Sequence, residues 1–104
     1  MFAMAAAITD VEALEELVQP AKIAAQGFRA PKQVRVVSSN DHSGDEAYYV
    51  YLIFPDETTD TALGWNKVKT MARWVQEEIW AANKWQRWPY IQIKRESELP
   101  DNLS

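Results

Sequence analysis

The stretch QVRVVSSNDHSGDEAYYVYLIF, residues 33–54, decides the fold. Gln33 to Ser39 alternates, with Val34 and Val36 on one face and Arg35 and Val37 on the other. Glu46 to Phe54 is rich in tyrosine and in β-branched or large apolar residues. Both segments read as strands, because such side chains suit a pleated, half-buried surface. Between them Asn40-Asp41-His42-Ser43-Gly44-Asp45 is dense in turn formers, which predicts a β-hairpin. Pro55 ends the second strand, since proline cannot continue a hydrogen-bonded ladder.

Working outward toward the N-terminus, Thr9-Asp10-Val11-Glu12 has the form of a capping box. Val11, Leu14, Leu17, Val18, Ala21, Ala25 and Phe28 then follow helical spacing, and Gly27 lies near the stop. Pro20 lacks an N–H and crowds the preceding turn, so this helix is expected to break near Gln19. On the other side of the hairpin, the acidic loop Asp56-Glu57-Thr58-Thr59-Asp60 leads into a helix expected over Thr61–Lys84. A projection of that segment at about 100° per residue gathers Trp65, Val68, Met71, Ala72, Val75, Ile79 and Ala82 into one core-facing arc. Trp74 and Trp85 project to the border of the arc, whereas Trp80 projects away from it beside Lys69, Arg73 and Lys84. Tyr90 to Lys94 alternates again and reads as a last strand, entered through Trp88-Pro89.

The resulting order α-β-β-α-β predicts an α+β fold with two helices on one face of a three-stranded sheet. Val34, Val36, Val50, Leu52, Phe54, Ile91 and Ile93 form the expected helix-facing set. Arg35, Val37, Tyr49, Tyr51, Ile53, Tyr90, Gln92 and Lys94 are left for the opposite face. With 104 residues the chain is expected to be one domain, 1–104, with residues 1–8 an N-terminal extension and 96–104 a loose tail. Hydrophobic residues make up 47% and charged residues 25%, a balance that supports a packed core and argues against disorder.

Function classes are narrowed by what the residue types allow. No cysteine is present, which excludes disulfides and thiolate metal sites and makes the cytoplasm the expected compartment. The apolar start, residues 1–8, lacks a basic n-region and is not read as a signal peptide. No apolar run approaches the roughly 20 residues that span a bilayer, so no membrane partner is expected. Only three glycines occur, too few and too scattered for a phosphate cradle, and no Gly-x-Ser-x-Gly motif is present. Neither a cofactor nor a catalytic residue is assigned. Asp41, His42 and Asp45 are metal-capable types on one turn, the basis of a minor reading as a metal-dependent enzyme. Their ordinary turn roles, backbone hydrogen bonding by aspartate and positive φ at Gly44, account for them more simply.

Asp41-His42-Ser43-Gly44-Asp45-Glu46-Ala47, followed by a Tyr/Val-rich strand, resembles a hairpin of small bacterial α+β proteins to which no activity is attached. The resemblance implies a bacterial protein and carries over no functional residue. Some small α+β proteins of this kind are accessory or antitoxin-like partners, which favours a binding role.

The charge distribution is polar along the chain. All five tryptophans lie within residues 65–88, and residues 66–95 hold seven basic against two acidic side chains, while the remainder holds four basic and thirteen acidic. Aromatic and basic residues interleaved in this way occur at protein interfaces and on nucleic-acid surfaces. The candidate partner-binding residues are Trp80, Lys69, Arg73 and Lys84 on the second helix, and Arg35, Tyr49, Tyr51, Tyr90 and Lys94 on the open sheet face. Tyr, Trp and Arg are enriched at binding hot spots, and a three-stranded sheet leaves edges to be covered. The sequence therefore points to a protein-interaction or regulatory subunit, expected as a homodimer or bound to another protein. Nucleic-acid binding is the alternative. It is disfavoured by a pI near 4.9 and by the lack of a Gly-x-x-Gly clamp.

Overall fold

The computed structural model describes residues 6–59, 61 and 64–99. Two short helices, α1 (Val11–Leu17) and α2 (Pro20–Ala25), precede strands β1 (Gln33–Asn40) and β2 (Glu46–Phe54). Helix α3 (Trp65–Ala82), strand β3 (Trp88–Arg95) and a 3₁₀ turn (Glu96–Glu98) complete the order. The molecule is the expected α+β fold, with α1/α2 replacing one interrupted helix.

Local chemistry explains each boundary. Asp10, one residue after the expected cap, is the N-cap of α1, and its carboxylate accepts the Ala13 N–H at 3.1 Å. Pro20 then opens α2 as its first residue, where the missing N–H costs nothing. Helix α3 ends at Ala82, two residues before the expected stop at Lys84, with Asn83 as its C-cap. The start of the helix expected from Thr61 falls partly on positions 62 and 63, outside the described residues.

The sheet order is β1-β2-β3, with β1 antiparallel to β2 and β3 parallel to β2. The hairpin supplies the antiparallel pair, and the chain crosses over through α3 to lay β3 on the far side of β2. Leu14, Val18 and Ile23 from the first helices meet Met71, Val75 and Ile79 from α3 over Val34, Val36, Tyr48, Val50, Leu52 and Phe54. Ile91 and Ile93 pack at the border of this core, so the helix-facing set is the one the alternation predicts. Tyr48 joins it fully buried because its hydroxyl finds a partner, donating to the Thr9 carbonyl at 2.9 Å. At the start of the described chain, the Ile8 N–H donates to the Ala82 carbonyl at 2.9 Å.

Three tryptophans depart from the helical projection. Trp65, expected in the core arc, is 72% exposed, and Trp85, expected at its border, is 61% exposed. Trp65 is the first residue of α3, and helical side chains lean toward the N-terminus, which carries its ring past the end of the core. Trp85 lies beyond the helix with φ 58°, so a helical wheel does not apply to it. Trp80, projected outward, is half-buried, with its ring edge-to-face against Trp88 at 5.2 Å between centroids. Trp74 does sit at the core border, its ring 6.5 Å from that of Phe28. Ile53, placed by alternation on the open face, is buried although it stands outside the core cluster.

Candidate interaction surfaces

The face of the sheet opposite the helices is set by register. Val37, Tyr49 and Tyr90 form one cross-strand row, and Arg35, Tyr51 and Gln92 form the next. Gln33, Ile53 and Lys94 form the third. Tyr49 and Tyr90 stack, 5.3 Å between centroids and 19° between planes. The stacking follows from direct opposition on parallel neighbours, where the side chains lie within contact range. Tyr49, Tyr51 and Tyr90 are all half-buried. Arg35 leans over the edge of β1, its Nε 3.5 Å from Glu15 Oε1.

One end of this face is fastened by the hairpin turn. Asp41 Oδ1 accepts the backbone N–H groups of Ser43 and Asp45 at 2.9 and 3.1 Å and the Ser43 hydroxyl at 2.6 Å. Asp41 Oδ2 accepts the Tyr90 hydroxyl at 3.1 Å. The Ser43 hydroxyl is the chief reason the Asp41 carboxyl is held down to about 2, helped by the two N–H donors and Tyr90. Burial first, and the Asp41 contact next, push the Tyr90 hydroxyl up. Gly44 has φ 90°, as the tight turn requires. Asp41 is thus committed to the turn, and among the described residues no three His, Asp or Glu side chains gather into a metal-binding group. The metal reading of Asp41, His42 and Asp45 finds no ligand set there.

The basic candidates separate into different places. Lys69 and Arg73, one turn apart on α3, line a depression of about 400 Å³ together with Gln76, Tyr90, Ile91 and Gln92. The helix cations therefore face the outer edge of β3. Lys69 lies 5.8 Å from the Trp65 ring centroid, a cation–π contact, and no ion pair or hydrogen bond engages either cation among the described residues. Trp80 lies further along, in a separate depression of about 450 Å³ with Trp88, Gln86, Arg87, Asp41, Asp45 and Glu46. Lys84 is exposed and left-handed at φ 58°, so it does not continue the Lys69–Arg73 ridge. Lys94 sits on the open sheet face at the end of β3.

The turn from α3 into β3 is built on Asn83, which is completely buried. Its side-chain amide donates to the Ile79 and Arg87 carbonyls, both at 3.0 Å, and its oxygen accepts from the Gln86 and Arg87 N–H groups at 2.8 and 3.0 Å. Every hydrogen-bonding position of this amide is used. Arg87, so placed, pairs with Glu46 at 3.0 Å and covers the Tyr48 ring at 5.5 Å.

Sequence reasoning missed three polar side chains that guard the sheet edges. Glu15 Oε1 accepts the Val36 N–H on β1 at 2.8 Å. Gln76 Nε2 donates to the Pro89 carbonyl at 3.0 Å, and Glu98 Oε1 accepts the Arg95 N–H at 2.7 Å, both on β3. Glu15 and Gln76 are ordinary helix residues to a pattern search, and only strand order marks β1 and β3 as edges. No helix among the described residues is long and apolar enough to cross a membrane. No family model matches the chain, and no curated protein or solved structure is found similar to it.

Proposed function

We propose that this chain is a small interaction or regulatory subunit of the bacterial cytoplasm, acting by binding rather than catalysis and self-associating as a homodimer through the open sheet face. The observation that supports this reading is the Tyr49–Tyr90 stack, with Tyr51 beside it, on a face opposite all the helices of the core. Half-buried tyrosines on a rigid sheet offer large contact area at low entropic cost. Two such faces related by a twofold axis would meet in self-complementary fashion. Three strands of about eight residues present roughly 15 by 26 Å. That is a projected area of roughly 400 Å², below the about 800 Å² per partner of a standard interface, and implies a weak dimer.

Light scattering over a concentration series tests the reading. The wild-type mass should rise toward twice the monomer as concentration increases, and Tyr51→Glu, which places a charge on the face, should remain monomeric with an unchanged circular dichroism spectrum. A wild-type protein that stays monomeric up to about 1 mM ends the proposal, since weaker association lies outside useful binding. Nucleic-acid binding, the alternative, would rest on the cations Lys69 and Arg73 beside Tyr90, which form no ion pair among the described residues. It requires salt-sensitive binding of short RNA at about 50 mM salt.

A further inference from the structure

The outer edge of β3 carries an open window bounded at both ends. In a strand, the N–H and C=O of one residue point to the same side, and successive residues alternate. The Pro89 carbonyl is taken by Gln76 and the Arg95 N–H by Glu98, two contacts from outside the sheet. Positions 89, 91, 93 and 95 therefore face the free edge. Pro89 has no N–H to offer, and Gln76 and Glu98 close the two ends. Between them, the backbone groups of Ile91 and Ile93 are met by no side chain among the described residues.

The wall of this window is cationic. Lys69 and Arg73 stand over it from α3, in the depression that also contains Ile91 and Gln92, and neither has an acidic partner among the described residues. Residues four apart on a helix hold their Cβ atoms roughly 5–6 Å apart. Alternate side chains on one face of a strand are roughly 6.6 Å apart. The two cations thus match carboxylates at alternate positions of a strand laid beside β3.

We propose that the Ile91–Ile93 window is a strand-addition site for an extended segment of a partner protein bearing acidic residues at alternate positions. The segment's backbone pairs with Ile91 and Ile93, and its carboxylates meet Lys69 and Arg73. A nucleic acid would satisfy the cations and leave the strand edge without a regular backbone partner. A second copy of this chain offers an acidic edge at β1, where Glu12 and Glu16 lie beside Gln33 and Val34, but the Val36 N–H of that edge is already held by Glu15. The window borders the tyrosine face at Tyr90 and Gln92, but the groups it uses are different ones, the edge backbone of Ile91 and Ile93 and the cations of α3.

A fluorescein-labelled peptide of about eight residues, with glutamate alternating with threonine, is titrated into the full chain by fluorescence anisotropy. Binding should saturate, weaken about tenfold or more in the exposed double variant Lys69→Glu/Arg73→Glu, and weaken similarly when the peptide's alternate amides are N-methylated. Amide hydrogen exchange at Ile91 and Ile93 should slow on binding, while circular dichroism shows the variant folded. No binding at about 1 mM peptide overturns the proposal. So does equal binding of the N-methylated peptide or of a lysine-for-glutamate peptide, and so does tighter binding of a single-stranded oligonucleotide. If the double variant instead abolishes concentration-dependent self-association of the wild-type chain, the edge belongs to a second copy and the partner assignment fails. Loss of self-association in Tyr51→Glu with peptide binding intact would separate the two surfaces.

Discussion

The Tyr90 hydroxyl donates to Asp41 Oδ2 at 3.1 Å, fastening the third strand to the turn that joins the first two. The hairpin and β3 are already joined along the parallel β2–β3 ladder, and this contact adds a side-chain tie at one end of the sheet. The Asp41 carboxyl is held at about 2, below its usual 3.8, first by the Ser43 hydroxyl. A depressed carboxylate stabilises the fold above the unfolded value and loses that contribution as pH falls through the folded value. The Asp41 contribution should therefore disappear between about pH 4 and pH 2. Thermal melts of Asp41→Asn should show a flatter acid limb across this window than the wild type. Parallel acid limbs would contradict the assignment.

Asn83 predicts a large effect for a residue without an obvious role. Replacing it with Ala leaves the Arg87 N–H and the Arg87 carbonyl without their side-chain partner and leaves the Gln86 N–H only its long 3.4 Å bond to the residue-83 carbonyl. With about 1 kcal/mol for each lost bond, Asn83→Ala should cost about 2–4 kcal/mol in urea unfolding. A loss below about 0.5 kcal/mol would mean that water replaces the amide fully.

The next residue predicts the opposite sign. Lys84 is held at φ 58°, a left-handed conformation that strains any residue with a Cβ. Its side chain is exposed and, among the described residues, makes no hydrogen bond or ion pair that glycine would forfeit. Lys84→Gly should raise stability by about 0.5–1 kcal/mol, and a decrease would show that the side chain contributes to the turn.

Glu15 guards the β1 edge by accepting the Val36 N–H at 2.8 Å. Glu15→Ala should cost about 1 kcal/mol and speed exchange of the Val36 amide, whereas Glu15→Gln, which keeps an acceptor oxygen, should retain most of the protection. Equal exchange rates in all three proteins would remove the guarding role.

Trp80 and Tyr51 should behave as opposites. Trp80 is half-buried edge-to-face on Trp88, so Trp80→Ala should lower stability by about 1 kcal/mol or more while leaving self-association unchanged. Tyr51→Glu should abolish self-association. A monomeric Trp80→Ala protein in light scattering would move the interface to α3.

Most of the architecture is legible because periodicity is a local property. The alternation from Gln33 to Phe54 defines both hairpin strands and their buried faces. Pro20 marks the break between the first helices for a covalent reason, the missing N–H. The helical projection succeeds for Val68, Met71, Val75 and Ile79, which lie over the sheet, and fails for Trp65 and Trp85, which lie at or past the helix end. A wheel records direction around an axis and carries no information about where the neighbouring layer stops.

The candidate surfaces divide along the same line. The open face was readable, since Tyr49, Tyr51, Tyr90, Arg35 and Lys94 follow from alternation once the buried set is chosen. The basic patch was not readable as a unit: Lys69 and Arg73 stand over β3, Trp80 packs on Trp88, and Lys84 leaves the helix altogether.

By itself the sequence determined the elements, their buried faces and the α-β-β-α-β order, because each depends on neighbours a few positions away. Only the tertiary structure decided that β2 is central and that β1 and β3 are edges, because strand order is set by pairing between distant segments. That decision turns Glu15, Gln76 and Glu98 into edge guards. It also sets Asp41 against Tyr90 and leaves Ile91 and Ile93 as the open stretch beneath Lys69 and Arg73.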